Sequence, residues 1–463
     1  NRQFNGLPET PVPFAELPVS AAQALAELSG MLRAYADGAG DTLSPVWRDR
    51  LARLLAAPAT SAAASRLLRA ADYRVRSVPL EPAEARTLFN DRTLSVSRLE
   101  EFAACPFKHF VEYGLRPVIV KDWGVEPVDL GVFFHRSLQN FAALAKRSPA
   151  YPDVSPAEAE AMADEAVEPL KEPLLRGPMG DTPRALAGFE SARRIIRRAC
   201  RTVTLHLAAG DFALDRAEAR FGYAEEDSLP PVALRLKDGT QVTLHGKIDR
   251  IDRYDGADGP CLRVVDYKSS RHTLEPAKTW WGLQLQLIIY LDAAVGGVPG
   301  AVPAGAFYFH VADPLAQLAS AERAGAEAEI AKMLQMHGVA LNDEDVLAAM
   351  DRGGGAVAGV TTGAGNVRKN AKVLDLAQMR ALLKHARAQA TELAEALYDG
   401  DTSIRPVRAG DTESCDRCDY RGVCGFTPDA RGAAARELPD MKLEELQQRL
   451  SGDWPTPENG AAG

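Results

Sequence analysis

The stretch from Phe212 to Ser270 constrains this chain most, because its hydrophobic pattern has the two-residue period of β-strands while its flanks follow a helical period. Val232-Ala233-Leu234-Arg235-Leu236-Lys237, the turn Asp238-Gly239 and the segment Thr240 to Leu244 form a hairpin signal. The second strand runs on through His245-Gly246-Lys247-Ile248-Asp249-Arg250-Ile251-Asp252. A turn at Asp255 to Pro260 leads into Arg263-Val264-Val265-Asp266-Tyr267-Lys268-Ser269. A helix over Trp280 to Ala294 and a strand over Ala306 to Val311 are expected next.

Upstream, residues 1–92 are rich in Ala and Leu with helical periodicity, as in Ala21 to Ala36 and Val46 to Ala71. They read as a helical appendage, the tail of a preceding domain. Ser97-Arg98-Leu99-Glu100 reads as a capping box opening a short helix that runs into Cys105-Pro106. Gly131-Val132-Phe133-Phe134-His135 begins a strong helix with Phe134, Leu138 and Phe141 on one stripe. Residues 152–209 look helical, and Arg193, Arg197 and Arg201 recur on one ridge, either a solvated face or a track for a phosphate backbone. Residues 321–398 read as mostly helical, broken by a flexible surface insertion from Gly353 to Gly365. After a domain over 93–429, residues 430–463 are expected to carry one helix, Lys442 to Leu450, and a disordered Pro/Gly-rich end.

The net charge of −9 argues against a surface coated in positive charge, though not against a local basic groove. No apolar run is long enough to span a bilayer, no signal-peptide pattern opens the chain, and the expected compartment is the cytosol. The first residue is Asn rather than Met, which suggests a fragment. No G-x-x-x-x-G-K-[ST] occurs, so the chain shows no P-loop ATP site.

On a strand, Asp266 and Lys268 share a face while Tyr267 points away. Alone, such a D-x-K is an exposed ion pair. Asp249, on the preceding strand, changes that reading, because antiparallel neighbours place both carboxylates at one end of the sheet. Paired carboxylates repel unless a cation lies between them, so such pairs recruit Mg²⁺ or Mn²⁺. Lys268 would then orient water or steady charge on a phosphate. His135 offers an imidazole, and Gln286 and Tyr290 share a helix face. Asp252 falls on the other face and is the weaker candidate.

The six cysteines are too few for a disulfide scaffold. Cys415, Cys418 and Cys424 form C-x-x-C-x5-C, a soft-metal pattern that lacks a local fourth ligand, for which Cys105 is the candidate. Zinc and an iron–sulfur cluster both remain open on the residues alone. Cys200 and Cys261 read as plain buried thiols.

The ordered set G-V-F-F-H, G-K-I-D, V-V-D-Y-K and Q-L-I-I-Y resembles the RecB-like branch of the PD-(D/E)XK nucleases. The resemblance implies an α/β restriction-endonuclease-like core, a central mixed sheet flanked by helices, with added helical segments and the N-terminal helical region. It implies that His135, Asp249, Asp266 and the main-chain carbonyl of Tyr267 ligate the metal, that Lys268 is catalytic, and that Gln286 and Tyr290 support lysine and substrate. One Cys before these motifs and C-x-x-C-x5-C after them resembles the iron–sulfur nuclease domain of AddB, a component of bacterial AddAB helicase–nucleases, over about residues 93–427. That implies a 4Fe–4S cluster on Cys105, Cys415, Cys418 and Cys424, an AddA partner, and exonuclease processing of broken DNA ends for recombinational repair. Two alternatives stand beside it: a free-standing RecB-like iron–sulfur exonuclease similar to CRISPR-associated nucleases, and a DNA-binding module with a vestigial metal site.

Overall fold

The computed structural model describes residues 20–452 apart from 37–43, 72–74, 119–126, 152, 177–181, 316–322, 362–365, 410–411, 417 and 429–431. The expected tail beyond residue 452 lies outside the described residues.

Helices α1 (Ala21–Ala36), α2 (Pro45–Ala56) and α3 (Ser61–Ala71) pack on one another around Leu28, Leu32, Leu54 and Ala64. Ser44 caps α2, whose first residue, Pro45, needs no intrahelical N–H partner. Helix α4 (Pro82–Leu88) lies before the boundary expected at residue 92, yet its Ala85 and the following Phe89 are buried in the main core.

Strand β1 (Thr93–Ser95) leads into α5 (Val96–Ala104), then α6 (Pro106–His109) and a π-helical turn over Phe110–Leu115. The cap of α5 is Ser95, whose hydroxyl accepts the Arg98 N–H, and not Ser97 as the sequence suggests. Three long helices follow, α7 (Pro127–Arg147), α8 (Pro156–Arg176) and α9 (Pro183–Ala208). As expected, α7 buries Phe134, Leu138 and Phe141. The Arg193, Arg197 and Arg201 ridge of α9 faces α8, where Arg193 and Arg197 pair with Asp164 and Arg201 with Glu160. Those pairs tie the ridge to α8 while leaving the arginines partly exposed.

Strands β2 (Ala213–Phe221), β3 (Val232–Arg235), β4 (Gln241–Gly256) and β5 (Gly259–Lys268) come next. The first half of β4 pairs with β3 across the Asp238-Gly239 turn and runs parallel to β1; its second half lies antiparallel to β2 and β5. The helix expected over Trp280 to Ala294 is two, α10 (Pro276–Trp280) and α11 (Gln286–Gly296), separated at Gly282, which sits at φ 82°. Strand β6 (Val302–His310) runs parallel to β5.

The region expected to be helical after residue 321 holds α12 (Arg323–Met333), β7 (His337–Leu341), α13 (Glu344–Met350), β8 (Val373–Leu374) and α14 (Leu376–Tyr398). Strands β7 and β8 extend the sheet beyond β6, so among the described residues it has eight strands. The Gly353 to Gly365 insertion is packed where described: Ala356, Val357 and Val360 are buried, and the Asp351 carboxylate accepts the N–H groups of Gly355, Ala356 and Val357.

Helices α7, α8 and α9 cover one face of this sheet, with Phe133, Phe189 and Ile196 against Val265, Phe307 and Phe309. Helices α5, α11 and α14 cover the other, where Leu99, Ile288 and Leu382 meet Leu262, Val264 and Ala306. Burial on both faces explains the continuous apolar character of β5 and β6.

The chain then returns to α5. Strands β9 (Val407–Ala409), β10 (Thr412–Glu413) and β11 (Arg436–Glu437) form a small second sheet, with α15 (Arg421–Cys424) between the last two. Phe107 N–H donates to the Ser403 carbonyl at 3.1 Å and Arg436 Nη2 to the Ala103 carbonyl at 3.1 Å. Helix α16 (Leu443–Ser451) packs on α14, close to the expected span.

Candidate functional site

Antiparallel pairing of Arg250 with Val265 sets Asp249 beside the end of β5, and Asp249 Oδ2 accepts the Tyr267 N–H at 2.6 Å. On the face opposite Tyr267, Asp266 Oδ2 lies 2.7 Å from Lys268 Nζ, as strand alternation requires. His135 reaches the pair from α7, its Nδ1 2.9 Å from Asp249 Oδ1. Lys268 Nζ donates to Gln286 Oε1 at 3.1 Å, and Gln286 Nε2 to the Tyr290 hydroxyl at 2.9 Å, so the i, i+4 pair on α11 reaches the site. All six side chains proposed from the sequence converge at one end of the sheet. The Tyr267 ring packs edge-on against Phe309 on the other face.

Gly246 has a steric reason: a Cβ there would stand 2.6 Å from the Phe221 ring and 3.1 Å from the Tyr290 ring. Asp252, by contrast, is buried between Arg250 and Arg263 at 2.7 and 2.8 Å and belongs to a structural ion-pair network.

Burial raises the Asp266 carboxyl to about 6; the Asp249 charge adds to the rise, while Lys268 and His135 oppose it. Burial disfavours the charged Lys268 amine, yet the carboxylates of Asp266, Asp249 and Glu100, Asp266 foremost, together raise its pKa. Burial likewise opposes charge on His135, but Asp249 and Glu218 raise it to about 10. Asp249 and Asp266, with the Glu218 carboxylate beside His135, supply the hard oxygen donors that a divalent cation takes.

Two acidic residues here were not singled out in the sequence. Glu218 on β2 lies with His135 and Asp249 in a group whose ligand atoms fall within 4.8 Å of one another. Its Oε1 is 3.7 Å from His135 Nδ1, and its other oxygen pairs with Lys247. Nothing in the run Ala217-Glu218-Ala219 distinguishes it from an ordinary strand glutamate. Glu100 read as the closing member of a capping box; instead its Oε1 accepts the Gln286 N–H at 2.7 Å, and burial raises its carboxyl to about 7.

Cys105, between α5 and α6, lines one small cavity with Cys415, Cys418 and Cys424. Phe107, Tyr420 and Phe426 wall the same cavity. Cys200 and Cys261 are buried elsewhere, as expected.

The model of the PD-(D/E)XK nuclease superfamily matches residues 93–425. The chain belongs to the PD-(D/E)XK nuclease superfamily. Its curated relatives include the B subunit of the ATP-dependent helicase/deoxyribonuclease of Moorella thermoacetica, 34% identical over 416 residues, which cover 87% of this chain and 36% of that protein. The protein of the same name from Symbiobacterium thermophilum is 33% identical over 426 residues, 89% of this chain and 36% of that one. That of Alkaliphilus oremlandii is 31% identical over 378 residues, 79% and 33% respectively. The chain therefore spans about a third of the length of the curated relatives it matches.

Proposed function

We propose that the chain is the metal-dependent DNA exonuclease domain of an AddAB-type helicase–nuclease, hydrolysing phosphodiester bonds at broken duplex ends during recombinational repair. The observation that carries this is the convergence of His135, Asp249, Asp266 and Lys268 at one sheet end, with ion-pair contacts of 2.9 and 2.7 Å. Asp249, Asp266 and Lys268 are the residues we assign to the PD-(D/E)XK motif. The names of the relatives, each a helicase/deoxyribonuclease component, support the choice of an AddAB-type complex over a free-standing nuclease.

Hard oxygen donors with one imidazole suit Mg²⁺ or Mn²⁺. His135, Asp249, Asp266 and the Tyr267 carbonyl would hold the ion, which when bound lowers the pKa of water and neutralises charge on the phosphate. Lys268, its pKa raised, stays protonated near neutral pH. Held by Gln286 and lying beside Asp266, its ammonium would anchor the scissile phosphate and orient the attacking water. Gln286 holds the amine, and Tyr290 holds Gln286. The water oxygen bonds to phosphorus as the bond to the leaving sugar oxygen breaks in line, the attacking water giving up a proton to solvent and the leaving oxygen taking one from solvent.

Cys105, Cys415, Cys418 and Cys424 would hold a 4Fe–4S cluster. Zinc, with Zn–S of about 2.3 Å, keeps its sulfurs about 3.8 Å apart. Four thiols walling one cavity with Phe107, Tyr420 and Phe426 form an all-sulfur donor set that either zinc or an iron–sulfur cluster takes, and the resemblance to iron–sulfur nuclease domains is what favours the cluster. Single-stranded DNA from unwound duplex is the substrate we assign, an AddA-type helicase–nuclease the partner, and the cytoplasm the compartment. No helix among the described residues is long and apolar enough to cross a membrane.

The test is degradation of single-stranded DNA with Mg²⁺ by wild type, Asp266→Ala and Lys268→Ala. Both variants are expected to lose cleavage by about 100-fold or more while still binding DNA. Undiminished cleavage by Asp266→Ala would remove the assignment.

A further inference from the structure

Glu100 lies on α5, a nine-residue helix that contributes none of the motif residues and ends at Cys105. Its carboxylate crosses to α11 and takes the first free N–H groups of that helix: Gln286 N–H at 2.7 Å, with Leu285 N–H also turned to it. Helix α11 lacks any other side-chain cap, since its N-cap position is Leu285. A carboxylate at this end meets both the orphan donors and the positive end of the helix dipole.

The helix so held carries Gln286, and Gln286 is bonded at three points. Its main-chain N–H goes to Glu100, its Oε1 accepts Lys268 Nζ at 3.1 Å, and its Nε2 donates to the Tyr290 hydroxyl at 2.9 Å. Lys268 in turn lies 2.7 Å from Asp266 Oδ2. A continuous path of hydrogen bonds therefore runs from Glu100 through one residue to the Lys268 amine.

We propose that Glu100 is a positioning residue for phosphodiester hydrolysis, fixing the start of α11 so that Gln286 holds the Lys268 ammonium against the scissile phosphate. It acts through Gln286 and touches neither substrate nor metal. Outer groups that orient the residues at the chemistry typically change activity by about 10- to 100-fold when removed, and Glu100 stands two hydrogen bonds from the Lys268 amine. Lys268 without its Gln286 contact keeps Asp266 as partner but loses its direction, so turnover falls more than substrate binding.

The inference rests on the nuclease reading above. The test is a double-mutant cycle in the full chain with Mg²⁺ and single-stranded DNA, using Glu100→Ala, Gln286→Ala and the pair. Glu100→Ala is expected to lower kcat by about 10- to 100-fold with KM within about twofold. In the Gln286→Ala background the same change is expected to cost little more, because the path is already cut. Glu100→Gln, which keeps an accepting oxygen and the side-chain volume, is expected to recover most of the loss and guards against a folding defect in the alanine variant. Wild-type kcat in Glu100→Ala, or losses that multiply in the pair, would overturn the proposal. Asp266→Ala, assayed alongside, separates the two claims: cleavage retained there removes the nuclease reading itself, whereas cleavage lost there but intact in Glu100→Ala removes only the role of Glu100.

Discussion

At the scale of single residues, Glu218 is the least ordinary feature of the site. It is a non-glycine residue within β2 at φ 53°, a conformation that costs on the order of 1–3 kcal/mol. The β2–β4 register pairs Ala217 with Arg250 and Ala219 with Ile248, so Glu218 lies level with Asp249. Its buried carboxylate is turned to His135 and Lys247. A strained backbone that aims a carboxylate at a candidate ligand set is what a functional constraint produces. Glu218→Gln, nearly isosteric, is expected to weaken Mn²⁺ binding by calorimetry by about 10- to 100-fold. Unchanged affinity would leave Glu218 as the counter-ion of Lys247 alone.

At the scale of elements, α5 joins the two candidate metal sites. Its middle holds α11 through Glu100, and its end delivers Cys105 to the cavity shared with Cys415, Cys418 and Cys424. The three later cysteines stand more than 300 residues along the chain from Cys105, so a cluster there closes most of the domain into one loop, and metal binding becomes part of the folding free energy. Cys105→Ser is therefore expected to lose bound iron and to lower the thermal midpoint, with iron measured by elemental analysis and unfolding followed by circular dichroism. Stoichiometric zinc with no iron in the wild type would remove the cluster assignment. Helix α11 is apolar nearly all round, and Leu287, Ile288, Ile289 and Leu291 are fully buried, each worth about 1.5–3 kcal/mol. That packing, with Arg387 of α14 holding buried Asp292, makes α11 a firm platform for Gln286 and Tyr290.

At the scale of the whole molecule, what the sequence discloses follows from which interactions are local. The β3–β4 hairpin, the Asp266 and Lys268 alternation and the Gln286 and Tyr290 pairing each depend on spacings within a few residues, and each appears in the structure. The partners of the α9 arginines lie on α8, about 30 to 40 residues away, and nothing in the i, i+4, i+8 pattern announces them. Strand β7 is a five-residue run, too short for alternation to separate it from buried helix. Glu100 fits a capping box three residues after Ser97, and only the fold shows that its partner is 186 residues away. Short-range rules locate a motif residue; they do not reveal the carboxylates that tertiary packing adds beside it.

The central claim is that β4, β5 and α7 bring their side chains together into one metal-centred hydrolytic site. The most direct measurement is Mn²⁺ binding by calorimetry and single-stranded DNA cleavage on the same preparations of wild type and Asp249→Asn. The substitution is expected to weaken metal binding by about 10-fold or more and to lower cleavage with it at fixed Mn²⁺. Cleavage at the wild-type rate by a variant that no longer binds the metal would contradict that claim.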